Sequence, residues 1–509
     1  MNDSITPAWA LYESGLEYNR KINLYETNRQ NERFYRGEQW DGYDRDLPRP
    51  VFNVTRRIVD YLVGAISPQN ISIRYSDEKL PYLDSAALRD SVSEGLRLLE
   101  QNAAYRWKNS RMAEVANRAL LNAAISGDGV FYCWWDSSIH SGQPFSGEIR
   151  TDVVDGTNLF LCDVNNPDIQ SQEYIMLAGR APVNDLRREA LEAGVSEEEI
   201  AKIQPDDGDF SIPERAGSEK TTYLIRFFRE NGKVVFEKST QSVVIRRANT
   251  GLRYYPVVLF NWLPRKGSYH GASPITELIP NQKYLNSAYA LVMKHMNDTA
   301  FSKVIYDKSR IPEWSNEVGE AIGAVGGGIV ADAVSVVGTG QLEPGYLDLI
   351  ANVINTTKNL MGATDSALGD ERANNTSAIL ALRESSMISL RQISARFARA
   401  LGEVATIWAD MLCAYFPAER MLPVDAEDGI SAGRPDYRLL SRELLYARAV
   451  YSDNSAFSVS ATAALLGSLL SGGHITVRQY LRALPDGCIP DRFALLQELN
   501  AEGGEENLG

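Results

Sequence analysis

Ser273 stands in Gly271-Ala272-Ser273-Pro274-Ile275, a setting close to the strained turn that presents a nucleophilic serine. The second glycine of G-x-S-x-G is missing, so acyl transfer by Ser273 is discounted. His140, His270, His295 and His474 are the only histidines and form no H-E-x-x-H pair, and Cys133, Cys162, Cys413 and Cys488 form no C-x-x-C. Metal sites and redox motifs usually announce themselves by such spacings. The expectation is therefore no metal, no cofactor, and thiols that are buried or free. Gly326-Gly327-Gly328 suggests a phosphate-cradling loop, yet no Lys-Ser or Lys-Thr follows, as a Walker A loop requires. Lys283 and Lys294 are eleven residues apart, about three helical turns, and so share a face if that stretch is helical. Taken alone, two such lysines are a solvated face. A last charged group, Asp365, Asp370, Glu371 and Arg372, lies in a polar segment with Gly369, Asn374 and Asn375.

The elements that hold these residues are organised by the stretch from Gly362 to Phe416. Its second part has apolar residues at Ile379, Leu382, Leu390, Ile393, Phe397, Leu401, Val404, Ile407, Met411 and Tyr415, mostly three or four apart. That is the period of one helical face, and Pro417 ends it. A helix of about 40 residues would be about 60 Å long, which implies either a kink near Gly402 or a spoke in a large assembly. Upstream, Leu11 to Gly37 reads as one helix closed by Gly37, and Asn53 or Thr55 caps a helix bearing Ile58, Leu62 and Ile66. Asp84 to Ile125 reads as two helices joined near Asn102. Val130 to Trp262 is mostly strand, with Asn231-Gly232 as a hairpin turn, interrupted by a helical insertion over Val183 to Ile203. Ser273-Pro274 opens a helix running to about Thr299. Short strand-like pieces (KVIYD, GGIVADA, SVVG) fill Phe301 to Gly345, and Leu347 to Met361 is a return helix. Near the end, Ser455 to Leu470 is helical, Thr476 and Gln479 have capping-box spacing, and Arg492 to Leu499 is a final helix.

The order of these parts resembles the portal proteins of tailed bacteriophages. The resemblance is carried by YETNRQNERFYRGEQW (Tyr25 to Trp40), LPRPVFNVTRRIVDYLVGAI (Leu47 to Ile66), YHGASPITELIPNQKYLN (Tyr269 to Asn286), the polar segment with its long helix, and GGHITVRQYLRALP (Gly472 to Pro485). It implies an α+β portal fold. Residues 1–264 would be the wing, with N-terminal helices in 11–125 and a β-rich part in 129–262. Residues 265–300 would be a first stem helix, 301–345 a small α/β clip, and 346–362 a second stem helix. A tunnel loop would follow at 363–375, then a long central helix at 376–416, a return to the wing at 417–454, a helical crown at 455–500, and a disordered tail at 501–509. Such subunits form a dodecameric ring at one capsid vertex, a channel for double-stranded DNA that docks the terminase large subunit and the head-tail adaptor. Major capsid protein and a scaffolding protein are further partners, in the host cytoplasm during assembly and then in the virion. The resemblance also implies that Asp365, Gly369, Asp370, Glu371, Arg372, Asn374 and Asn375 face DNA in the tunnel loop. Lys283 and Lys294 would repeat around the ring as basic collars, and Lys308, Arg310 and Trp314 would be clip contacts to partners.

Size and charge bound the same reading. At 509 residues the chain holds three or four domains or lobes, and no apolar run reaches the roughly 18 residues of a membrane helix. MNDSITPAWALYESGLEYNR lacks a basic start and apolar stretch, so no signal peptide is expected. The net charge of -14 is the wrong sign for gripping phosphates. In a ring, an acidic wall would instead keep DNA near the axis; the plainer reading is solubility. Two further classes stay open from sequence: another virion, adaptor or scaffold protein with a long helix, and an enzyme whose site is dispersed among the 66 Asp and Glu residues.

Overall fold

A computed structural model describes residues 6–42, 47–67, 71–76, 80–83, 85–140, 142–206, 219–300, 303–315, 317, 322–337, 342–363, 390–426, 429–443, 447–451, 456–484, 489 and 495. Every strand pair in it is antiparallel, and helix covers more of the chain than strand, which is an α+β composition. The chain divides into two compact units.

The first unit comprises Met1–Gln30, Leu62–Pro274 and Ser389–Gly509. Its main sheet is a five-stranded meander in the order Leu159–Leu161, Tyr174–Pro182, Lys220–Glu230, Lys233–Ser239, Val244–Asn249. Asn231 and Gly232, with φ of 51° and 75°, make the two-residue turn between Glu230 and Lys233. Both central residues of such a turn need positive φ, which Asn and Gly tolerate best. The N-terminal helix Pro7–Lys21 lays Ala8, Trp9, Tyr12 and Leu16 on Phe160, Met176 and Leu224 of this sheet. A Cβ at Gly15 would come within 2.5 Å of the Phe160 ring, so the close approach depends on glycine.

The single helix expected over Leu11 to Gly37 is two, Pro7–Lys21 and Leu24–Arg36, because Asn23 adopts a left-handed φ of 57°. The next helix pair, Ala86–Asn109 and Met112–Ser126, joins at Ser110-Arg111 rather than near Asn102. Asn102 is a poor helix former in isolation. Here its amide donates to the Pro423 carbonyl at 2.7 Å and its oxygen accepts from Arg106 Nε at 2.8 Å. One strand absent from the sequence reading, Ile71–Tyr75, pairs with Ala447–Tyr451, and Ser146–Val154, inside the stretch read as mostly strand, pairs with Asp128–His140. The segment GGIVADA, read as strand, ends in a 3-10 turn at Val330–Ala333.

The helix Arg391–Tyr415 is the core of this unit. Phe397 meets Phe131 and Phe260 of the three-stranded sheet, with centroids 6.4 and 5.0 Å away. Of the expected apolar stripe, Leu390, Ile393, Phe397, Leu401, Val404, Ile407 and Met411 are buried and Tyr415 is half-buried, while Ile379 and Leu382 lie outside the described residues. The one-sided picture is corrected, however: every residue from Val404 to Leu412 is buried, as suits a helix covered all round. Ala405 and Ala409 let neighbours approach, and the two polar intruders are satisfied. Thr406 Oγ1 donates to the Gly402 carbonyl at 2.9 Å, and Asp410 accepts from the Arg253 and Tyr254 amides at 2.7 and 3.2 Å.

The second unit comprises Asn31–Tyr61 and Ile275–Ile388. Within it the helix that begins at Pro274 and ends at Thr299 packs Leu285 and Val292 against Ile350 and Ile354 of the helix Gly345–Leu360. Asn281 Nδ2 donates to Thr357 Oγ1 at 3.1 Å along the same seam. Between these helices in sequence lies the hairpin Lys303–Tyr306 with Val334–Val337.

Candidate functional site

Lys283 and Lys294 are oriented by the residues beside them. Gln282 and Asn286, one turn apart, are buried and join a chain of amides. Gln282 Oε1 accepts from the Thr55 amide and hydroxyl at 3.1 and 3.2 Å, and its Nε2 donates to the Phe52 carbonyl and to Asn286 Oδ1, both at 2.9 Å. Asn286 passes on a bond to Gln39 Oε1 at 2.8 Å, and Gln39 donates to Asn53 Oδ1 at 3.1 Å. Asn53 Oδ1 also accepts from the Arg56 amide at 3.0 Å, so Asn53 rather than Thr55 caps the helix Val54–Ile66. Buried amides that are fully paired fix one rotational setting of a helix, since any rotation orphans several at once. The sequence reading missed this network; Gln and Asn at i and i+4 was its one local trace.

With Gln282 inward, Lys283 is exposed and Lys294, three turns on, is half-buried. Lys283 Nζ lies 3.7 Å from Asp41 Oδ2 and 5.7 Å from the centre of the Phe34 ring. Arg33 shares that carboxylate at 3.0 Å. Such exposed pairs contribute little to stability, but they reduce the positive field that Lys283 presents. Arg56 sits 3.5 Å from Asp60 and over the Tyr35 ring.

In the hairpin region Lys308 is exposed. Trp314 stacks on Tyr306 with centroids 5.2 Å apart. Arg310 is a brace: its Nη2 donates to the Ile329 carbonyl at 3.2 Å, and Val325 donates its amide to the Arg310 carbonyl at 2.7 Å. Gly328, at φ 127°, passes close to that guanidinium. Ile305 and Val336 are 61% and 59% exposed, and strand alternation puts them on opposite faces of the two-stranded sheet. The polar segment with Asp365, Gly369, Asp370, Glu371, Arg372, Asn374 and Asn375 lies outside the described residues.

The Tyr269-His270-Gly271-Ala272-Ser273-Pro274 segment resolves into packing. His270 is buried, with Nδ1 2.6 Å from Asp128 Oδ2 and Nε2 3.1 Å from Asn19 Oδ1. Ser273 Oγ donates to the Ala124 carbonyl at 2.7 Å. Both imidazole nitrogens are engaged away from Ser273, so no serine–histidine relay forms. A Cβ on Gly127 or Gly271 would strike the other's carbonyl oxygen at 2.6 or 2.5 Å, so Gly271, which looks catalytic in sequence, serves a close backbone approach. Among the described residues, no group of three or more His, Cys, Asp or Glu side chains is arranged to hold a metal ion. No helix of the described residues is long and apolar enough to cross a membrane.

Compared with known proteins, residues 195–432 match the family model described as phage P22-like portal protein. The match spans a little under half of the chain. It begins at the end of the helical insertion and takes in the helices Pro274–Thr299 and Gly345–Leu360, the hairpin between them in sequence, and the central helix. A search of curated proteins gave no match. The family match supports a phage portal protein, a component of the virion that serves genome packaging.

Proposed function

We propose that twelve copies of this chain close into a ring at the unique capsid vertex, forming the channel through which double-stranded DNA is packaged and ejected. The observation that carries the reading is the portal-family match across 195–432. In it, Pro274–Thr299 is the first stem helix, the Lys303–Val337 region the clip, and Gly345–Leu360 the second stem helix. Apolar surface supports assembly: Leu291 and Met296 on one stem helix, and Leu347 and Leu360 on the other, are each more than half exposed, as are Ile305 and Val336 in the clip. Water-exposed apolar area of this kind is a driving force for association, at about 25 cal/mol per Å² buried.

The mechanism is mechanical and electrostatic, with the work of packaging supplied by a partner ATPase. A channel of net-acidic subunits repels the phosphate backbone from all sides and holds the duplex near the axis. The loop residues Asp365, Asp370, Glu371 and Arg372 make weak, reversible contacts at the narrowest point, and Gly362 and Gly369 let the loop move. Lys283 and Lys294 form shallow basic collars, the first already damped by Asp41. Lys308 and Trp314 meet the terminase large subunit and later the head-tail adaptor, while Arg310 shapes the loop that presents them. Capsid and scaffolding proteins surround the ring during assembly in the host cytoplasm.

Electron microscopy of the purified full-length protein, averaged in end-on views, tests the proposal. A closed twelve-fold ring with an axial hole wide enough for duplex DNA is expected. Monomers at every concentration, together with no incorporation at a capsid vertex on co-expression with capsid and scaffolding proteins, would overturn it.

A further inference from the structure

A cavity in the first unit has no part in the channel mechanism. It lies between the end of the helix Ala86–Asn109, the start of the helix Met112–Ser126 and the strand Ser146–Val154, and has a volume of about 340 Å³. That falls at the lower end of small-ligand pockets, about 300–1,000 Å³. Arg106, Arg111, Arg118 and Arg150 line it, against Glu114 and Asp152. Positive charge gathers here in a chain whose net charge is -14.

The arginines differ in what already holds them. Arg106 is buried, donating to Glu148 Oε1 at 2.6 Å, and Arg420 lies 3.7 Å from the other oxygen of the same carboxylate. Two buried guanidiniums share one carboxylate, so a net positive charge stands behind the cavity wall. Arg150 reaches Asp136 only at 4.0 Å. Asp152 is partly engaged, accepting from Trp134 Nε1 at 2.7 Å. Arg111 and Arg118 are exposed and form no ion pair among the described residues. Arg111 is the residue just before the helix Met112–Ser126, and Arg118 lies in that helix's second turn. Arg111 itself holds a left-handed backbone, φ 51° and ψ 38°, which any residue with a Cβ adopts at a cost and glycine does not. The rest of the lining is mixed: Met112, Val115 and Ile149 are apolar, Ser110 and Thr151 are polar, and Trp408 has its indole N–H already given to Thr151 Oγ1 at 2.9 Å.

We propose that this cavity binds a small phosphorylated molecule, with the phosphate held by Arg111 and Arg118 in the field of Arg106 and the organic part against Met112 and Ile149. Planar guanidiniums suit phosphate oxygens, and the confined volume suits a single nucleotide-sized group rather than a duplex. The shared chemistry is the phosphate dianion, and its source is either free orthophosphate or a nucleoside monophosphate.

Isothermal titration of the full-length protein with orthophosphate, AMP and adenosine tests this. Saturable binding of AMP and of orthophosphate, with none of adenosine, is expected. Tighter binding of AMP than of orthophosphate assigns the site to nucleotides, and equal binding assigns it to orthophosphate. Arg111→Gly and Arg118→Gln should each weaken binding about tenfold, the loss of one charge-assisted contact. Arg111→Gly should at the same time keep or raise the melting temperature, because it relieves the left-handed residue, so lost binding is not lost folding. No saturable heat at millimolar ligand, or binding that survives both substitutions, would overturn the proposal.

Discussion

Glu403 shows how a single residue in the central helix sets a pH dependence. Burial, reinforced by the negative charge of Asp168 and partly offset by Arg399, pushes its carboxyl up to about 7. In the unfolded chain a glutamate titrates near its ordinary value of about 4.3. The folded state therefore holds the proton more tightly, and this contribution to stability is fully present below that ordinary value and is lost as pH rises through 7. Glu403→Gln should leave the urea midpoint almost unchanged near pH 4 and raise stability at pH 8 by at most about 3 kcal/mol. A gain of the same size at both pH values would trace the effect to packing instead. Asp410, two turns further along, is also raised by burial, and the Arg253 and Tyr254 amides oppose that shift. Nothing in the local sequence marks Asp410 as an internal acceptor, because its partners lie 157 and 156 residues away. What was legible at this scale was local: Thr476 and Gln479 form the reciprocal cap that their spacing announces.

Elements follow the same division between local and distant causes. The Asn231-Gly232 turn, the proline-initiated helix at Pro274 and the helix Gly345–Leu360 rest on chemistry within a few residues, and each could be read directly. The true junction at Ser110-Arg111 could not, since the carbonyl that takes up the Asn102 amide inside the helix lies on a strand 321 positions later. The helix bearing Lys283 and Lys294 was legible as an element, but the amide chain that fixes its rotation joins residues more than 220 positions apart. Gln282→Leu tests that chain. It keeps the side-chain volume but removes the acceptor for the buried Thr55 amide and hydroxyl and the donor to Asn286. Leaving such groups unpaired should cost about 2–4 kcal/mol, seen as a lower melting temperature and faster amide exchange at Thr55. An unchanged exchange rate there would mean that water or another group replaces the glutamine. Because Lys283 is the next residue, the same variant should also loosen its contact with Asp41.

At the scale of the whole molecule, the question is why an acidic protein should handle DNA. Proteins that hold nucleic acid gather Lys and Arg and release counterions, and their affinity falls steeply with salt. Here Asp365, Asp370 and Glu371 against Arg372 leave the proposed loop with two net negative charges. Repeated around the proposed ring, that charge would repel a duplex from every side and let it slide. Reversing the three acids to lysine should turn the loop from repelling to gripping. Full-length variant rings are then expected to bind duplex DNA with a steep inverse dependence on salt, where the natural ring binds weakly, and packaging should slow or stall. Deleting Asp365 to Asn374 should have a different outcome: rings still form, but packaged DNA is not retained. The pair of variants separates charge from mere presence of the loop. If packaging and retention were the same in both variants as in the natural protein, the loop would have no role at the DNA. The channel would then owe its passage to the stem, where Lys294 and the Asp41-damped Lys283 are the groups to change next.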